Sequence, residues 1–198
     1  MEGFIKISDG IHRLKIPFDT VYTSVFLIEY DHALALVDCA TTDDDVDGHI
    51  VPALKKLGYS LSDVKFLVLT HKHGDHAGGK ARVLHHAPKI ETVTEERELF
   101  PGISTFAIPG HTKDFIGVLD ERSGTLISGD GLQGAGVDKY RTSVIAKDEY
   151  FRSLEKIKCD ARVKNLLFSH AYEPWYKDSI SGRDAVLECL DVCARYVK

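Results

Sequence analysis

The chain is short of most features that would tie it to a membrane, a polyanion or a disulfide scaffold. No stretch approaches the roughly 18 apolar residues of a membrane span, so no span is expected. No run of basic residues occurs and the net charge is −5, which argues against nucleic-acid or anionic-membrane binding driven by bulk charge. The opening Met1-Glu2-Gly3-Phe4-Ile5-Lys6 has no basic segment leading into a long apolar one. No signal peptide is read there, and the cytoplasm is the expected compartment. The cysteines number four, with no Cys-x-x-Cys pair. Cys39, Cys159, Cys189 and Cys193 read as reduced core thiols rather than disulfides or metal ligands, although Cys189 and Cys193 fall on adjacent turns of a predicted helix. Repeats, low-complexity segments and linkers are also missing, so residues 1–198 are expected to form one domain, with hydrophobic and charged shares of 43% and 28%, an ordinary globular balance.

What is present is a recurrence: four short apolar runs each end in a residue able to bind metal. Phe66 to Thr70 leads into His71-Lys72-His73-Gly74-Asp75-His76, and Ile103 to Ile108 into Pro109-Gly110-His111. Thr125 to Gly129 is followed by Asp130, and Val163 to Phe168 by Ser169-His170. Runs of this length and β-branched content predict buried strands. Ligands just past strand ends can converge on one rim of a sheet, where open α/β folds bind. Five imidazoles and two carboxylates meeting there would suit two metal ions.

The remaining elements follow from pattern. Ile11 to Ile16, Ser24 to Tyr30 and Ala33 to Val37 predict strands, the last two joined by a turn at Asp31-His32. Thr41-Thr42-Asp43 predicts the cap of a helix carrying Val46, Ile50, Leu54 and Leu57 to a stop at Gly58, kinked or delayed by Pro52. Gly78-Gly79 predicts the start of a short helix ending at Ala87, and strands are expected near 90–94, 103–108, 115–120 and 125–129. Asp148 to Lys158 predicts a helix with Tyr150, Leu154 and Ile157 on one face, and a strand at 163–168 follows. Ser181 predicts the cap of a last helix reaching Val197, with Val186, Leu190 and Cys193 inward. Two β-rich halves, each followed by helices, suggest two packed sheets with helices outside.

Histidines two apart on extended backbone point to one side, so His71 and His73 can share an ion. Gly74 is read as the tight turn that aims Asp75 and His76 elsewhere. His111 would complete the first ion's ligands; Asp75, His76 and His170 would hold the second; Asp130 could bridge with its two oxygens. This donor mix suits zinc first, with iron or manganese compatible. Paired ions can generate hydroxide near neutral pH, and Asp75 is placed to orient it and take its proton.

The order His-x-His-x-Asp-His, then Pro109-Gly110-His111-Thr112, Ser128-Gly129-Asp130 and Ser169-His170, resembles the metallo-β-lactamase superfamily over almost the whole chain. The resemblance implies a four-layer αββα sandwich of two mixed β-sheets flanked by helices. It implies a first metal on His71, His73 and His111, a second on Asp75, His76 and His170, and Asp130 between them. Asp38, closing the early strands, looks like the family's buried support for the metal loop. The implied activity is a dinuclear hydrolase attacking an ester-like bond with a bridging hydroxide, on a small-molecule thioester or lactone. A mononuclear-iron sulfur dioxygenase on the same scaffold and a non-catalytic metal sensor are the alternatives.

Departures from the family pattern bear on the pocket. Gln133 stands where lactone-cleaving members carry Tyr, and Thr112-Lys113-Asp114-Phe115 follows His111 in place of a Pro-Gly continuation. Gln133, Tyr140 and Tyr172 are the candidate substrate contacts, with Lys139, Arg141 and Trp175 nearby in sequence. His12, His32, His49, His85 and His86 follow no such strand end and are read as surface or packing residues.

Overall fold

The computed structural model describes residues 3–134, 144–172 and 176–197. It divides into two units, Met1–Thr94 and Glu95–Lys198, each built on its own six-stranded sheet. The expectation of two mixed sheets with helices of their own is met.

The first unit contains β1 (Ile5–Ser8), β2 (Ile11–Phe18), β3 (Val21–Tyr30), β4 (Ala33–Val37), β5 (Val64–Val68) and β6 (Glu91–Val93), neighbours in that order. β1 to β4 pair antiparallel, whereas β4, β5 and β6 run parallel. The turn between β3 and β4 places Asp31 and His32 at φ 42° and 64°. Positive φ at two central residues matches the strand twist, and Asp and His tolerate it better than most.

Parallel neighbours need crossovers. The first runs through α1 (Asp43–Asp45), a π turn at Val46–Ile50 and α2 (Val51–Lys56). Thr42 Oγ1 accepts the Asp45 N–H at 3.1 Å, and the Asp45 carboxylate accepts the Thr42 N–H at 2.9 Å, a reciprocal capping box. The expected disturbance at Pro52 takes the form of that π turn, which ends two residues before Pro52 inside a continuous helical stretch. The second crossover carries α3 (Gly74–Ala77) and α4 (Lys80–His86). Val46, Ile50, Ala53, Leu54 and Val83 from these helices pack on Leu14, Ile16, Val25, Leu27, Leu34 and Leu36 of the sheet. Each Val, Leu or Ile side chain among them contributes roughly 1.5–3 kcal/mol on burial. Ile28, Ala35, Val37, Phe66 and Val68, on the opposite sheet face, are buried as well, which is why β4 and the Phe66 to Val68 end of β5 read as continuous apolar runs.

The second unit contains β7 (Glu98–Phe100), β8 (Ile103–Ala107), β9 (Ile116–Asp120), β10 (Thr125–Ile127), β11 (Asn165–Leu167) and β12 (Ser179–Ser181), in the order β12-β11-β10-β9-β8-β7. Only β10 and β11 pair in parallel, joined by α5 (Lys147–Cys159). α6 (Arg183–Val197) closes the unit, with Val186, Cys189, Leu190, Cys193 and Val197 in the core beside Tyr150, Leu154 and Ile157 of α5.

The structure corrects several readings. Ser181 ends β12 rather than capping α6; its hydroxyl donates to the Asn165 side chain at 2.9 Å. β1, β7 and β12 were invisible as apolar runs because their residues are largely exposed or very few. Cys159 is exposed, unlike the other three thiols. Among the described residues, no helix is long and apolar enough to cross a membrane.

Candidate metal centre

Strand direction explains how each half gathers its donors. In the first unit, β4 and β5 are parallel, so Asp38 and the segment from Thr70 leave the same edge of the sheet. The Asp38 N–H donates to Val68 O at 2.8 Å, extending the ladder to the point where the metal-binding segment begins. His71 and His73 sit on extended backbone with ring centroids 4.4 Å apart, as their spacing predicted. His73 is the N-cap of α3, and the helix carries Asp75 and His76 around to the neighbouring position. His71 and His76 have ring centroids 4.3 Å apart. Gly74 is not the conformational hinge expected from the sequence. It is the first helical residue, has no positive φ, and a Cβ there would meet nothing within 4 Å.

The glycine that the loop does need is Gly78. A Cβ on it would stand 1.9 Å from Thr41 O and 2.5 Å from Gly74 O, both main-chain atoms. The turn after β4 therefore lies directly against the metal-binding segment. That turn is itself strained, with Asp38 at φ 63° and Ala40 at φ 60°. Cys39 adds two contacts to the same segment: its N–H and its thiol both reach the His76 carbonyl, at 2.8 and 3.3 Å. Burial pushes the Cys39 thiol well above its ordinary pKa, so it serves as a neutral donor.

Asp38 organises the donors from beneath. It is 1% exposed. Its Oδ1 accepts the Thr70 N–H at 2.8 Å, the Thr70 hydroxyl lies 3.0 and 2.9 Å from its two oxygens, and His76 Nδ1 lies 2.8 Å from Oδ2. His71 Nδ1 stands 3.0 Å from Thr70 Oγ1. One proton arrangement satisfies this network: Nδ1–H of His76 donates to Asp38, and Nδ1–H of His71 donates to Thr70, whose hydroxyl donates to Asp38. Both imidazoles are thereby left with Nε2 as the lone-pair atom, the usual role of a carboxylate behind a metal ligand. Asp38 in this supporting place was expected from the family resemblance; Thr70, Cys39 and Thr23, whose hydroxyl donates to Asp75 O at 3.1 Å, were not. The one sequence signal for Thr70 was a hydroxyl residue where an apolar strand stops.

In the second unit β8, β10 and β11 point the same way, because β8 and β10 are each antiparallel to β9 while β11 is parallel to β10. His111, Asp130 and His170 therefore emerge at one edge, and all three are buried. Asp130 turns one oxygen to each histidine: Oδ1 lies 3.3 Å from His170 Nε2 and Oδ2 lies 3.8 Å from His111 Nε2. His111 depends on Gly110, whose φ is 151° and whose missing Cβ would fall 2.8 Å from Tyr150 Cβ and 2.9 Å from its Cα. Tyr172 is half-buried with its ring centroid 5.6 Å from that of His170. Gln133 is buried, and its carbonyl accepts from two thiols of α6. Tyr140, Lys139, Arg141 and Trp175 lie outside the described residues.

The donor set fits metal. Imidazole and carboxylate groups able to hold an ion occur in both halves. Two donors on a tetrahedral zinc, each about 2.0–2.1 Å from it, stand about 3.3 Å apart. His76 Nε2 and Asp75 Oδ2 are 3.2 Å apart, and His170 Nε2 and Asp130 Oδ1 are 3.3 Å apart.

Comparison with known proteins agrees with this chemistry. The sequence profile of the metallo-β-lactamase superfamily matches residues 18–98, which include Asp38 and the His71–His76 cluster. A β-lactamase-like protein 2 homolog of Caenorhabditis elegans is 27% identical over 184 residues, 80% of this chain and 60% of its own length. A hydroxyacylglutathione hydrolase of Vibrio cholerae is 28% identical over 152 residues, 68% of this chain and 58% of its own length. The chain thus spans about three fifths of these curated relatives. Among solved structures, the metallo-β-lactamase FIM-1 of Pseudomonas aeruginosa, in its mono-zinc form, matches with a TM-score of 0.75 over 98% of this chain and 93% of that one, at 18% identity, which shows a shared fold. The chain thus matches the metallo-β-lactamase superfamily profile over residues 18–98 and shares the fold of a solved metallo-β-lactamase.

Proposed function

We propose that this protein is a metal-dependent hydrolase of an ester-like bond, with a small-molecule thioester or lactone as substrate and the cytoplasm as its compartment. In this reading residues 1–198 work as one catalytic domain. His71, His73 and His111 hold one ion, Asp75, His76 and His170 hold a second, and Asp130 serves both. The observation that carries the reading is the Asp130 carboxylate, with one oxygen toward His170 and the other toward His111. Zinc suits the donors best, and when bound a pair of such ions would supply Lewis-acid polarisation and hydroxide at neutral pH.

The chain's own residues supply orientation and proton handling. Asp38, through His76 directly and through Thr70 to His71, keeps both Nε2 atoms deprotonated and aimed. Asp75 is only half-buried, so a carboxylate oxygen remains accessible to orient the nucleophile and accept its proton. Tyr172 beside His170 offers an aromatic wall to the substrate. The preference for a thioester draws support from the hydroxyacylglutathione hydrolases among the relatives.

The deciding experiment is a panel of thioester, lactone, phosphodiester and β-lactam substrates on protein of measured metal content. Turnover of a thioester or lactone, lost in Asp75→Ala while the fold persists, is expected. Full activity in that variant would remove Asp75 from the reaction. One iron per chain with oxygen uptake on a persulfide would replace the hydrolase reading with the dioxygenase one.

A further inference from the structure

Two thiols of α6 take no part in the proposed hydrolysis, and their setting is unusual for core cysteines. Cys189 and Cys193 lie on successive turns, and both Sγ atoms reach one acceptor, the Gln133 carbonyl, at 3.7 and 3.4 Å. Sharing one acceptor brings the two thiols together in the core beside Tyr150 of α5. Cys193 is fully buried, but Cys189 lines a surface pocket of about 560 Å³. Its described lining includes the apolar Ile180 and Val192, the cations Lys177 and Arg195, and one acid, Glu188. A volume of this size admits a small peptide-like molecule, and the charge of that lining favours an anionic one.

We propose that Cys189 and Cys193 form a reversible dithiol–disulfide site, reached through this pocket by the disulfide of a small anionic thiol. The site is separate from the metal centre and does not rest on the hydrolase reading. The chemistry balances as two exchanges. Cys189 Sγ, passing its proton to Cys193, attacks one sulfur of R–S–S–R; that bond breaks and RS⁻ leaves, taking the proton as RSH. Cys193, again a thiolate, attacks Cys189 Sγ, forms the intrahelical bond and expels the second RS⁻. The protein dithiol is oxidised and the small disulfide is reduced to two thiols.

The protonation of the pair suits this order. The coupling between the two thiols lowers Cys193 and raises Cys189. The pair therefore titrates as a unit, with the proton on Cys189 retained longer than the one on Cys193. Helix geometry allows the bridge at a cost. Cα atoms four residues apart stand about 6 Å apart along an α-helix, inside the disulfide range of about 4.4–6.8 Å, but the Cβ atoms, about 5–6 Å apart, must approach to about 4 Å. The last turns of α6 must tighten, which makes the bond easily reduced, as a reversible site requires. Its formation also removes both S–H donors from the Gln133 carbonyl.

The test treats the folded full chain with oxidised glutathione, blocks remaining thiols with iodoacetamide and maps the peptides by mass spectrometry. Exposed Cys159 reports that the reagent is active. The expected result is a Cys189–Cys193 disulfide, with Cys39 still reduced and full reversal by dithiothreitol. Cys193→Ser should stop at a glutathionyl adduct on Cys189. Oxidised glutathione should react at α6 about tenfold faster than the cationic disulfide cystamine, and Lys177→Glu with Arg195→Glu should remove that preference. Modification of Cys159 alone, a stable adduct on Cys189 in the unaltered chain, or equal rates for the two disulfides would overturn the proposal.

Discussion

Asp38→Asn is the sharpest perturbation of the metal-binding segment, because it changes charge and hydrogen-bond polarity at nearly constant shape. Asn tolerates the φ of 63° that Asp38 adopts, so backbone strain is not the variable. The carboxylate faces only donors: the Thr70 N–H and hydroxyl, and the His76 Nδ1–H. An amide must turn its NH₂ toward one of them. If it faces His76, the imidazole is driven to the other tautomer and Nε2 loses its lone pair. If it faces Thr70, a buried N–H is opposed by another donor. Either arrangement leaves a mispaired polar contact at 1% exposure, which costs about 1–3 kcal/mol of stability. Loss of the supporting carboxylate also weakens metal binding about 10–100-fold, or about 1.4–2.8 kcal/mol. The two effects separate by assay. Urea unfolding of chelator-treated protein reads the first, and competition against a chromogenic chelator reads the second. A variant whose metal-free stability and metal affinity both equal those of the unaltered chain would refute the network described for Asp38.

Three further expectations follow the same geometry. Gly78→Ala should destabilise the chain by about 3 kcal/mol, since main-chain atoms at 1.9 and 2.5 Å cannot yield cheaply, whereas Gly74→Ala should be neutral or gain about 0.5–1 kcal/mol; parallel thermal melts compare them. Thr70→Val keeps shape but removes the link between His71 and Asp38, and should lower metal affinity about tenfold in the same chelator competition. Asp47 is held down to about 2, first by hydrogen bonding from Arg82 and then from His86. Its folded value lies below the unfolded value of about 3.9, so its contribution is present above that pH and lost as pH falls toward about 2. Asp47→Asn should flatten the acid unfolding curve in that window, an effect that salt reduces; identical acid titrations for the two proteins would show that this exposed cluster carries no stability.

The candidate donors stood out in the sequence because each follows an apolar run long enough to mark a buried strand, and because their types are scarce in such places. The capping box at Thr42 and Asp45 and the apolar stripe of α5 were equally legible, since both depend on residues a turn apart. Short polar strands were not: β12 owes its existence to pairing with β11 rather than to its own three residues. The role assigned to Gly74 failed for a related reason. A glycine in a turn and a glycine opening a helix read alike, and only the neighbouring backbone shows that Gly78 is the one that cannot carry a side chain.

The sequence by itself determined the donor chemistry, its order and the strands that deliver it, because these depend on local periodicity and residue type. Tertiary structure alone decided which buried groups meet: Asp38 with His76, 38 positions away, and the Gln133 carbonyl with Cys189, 56 positions away. Such pairings are fixed by strand direction and crossover length, and a hydrogen bond between distant residues leaves no periodic trace in the chain that makes it.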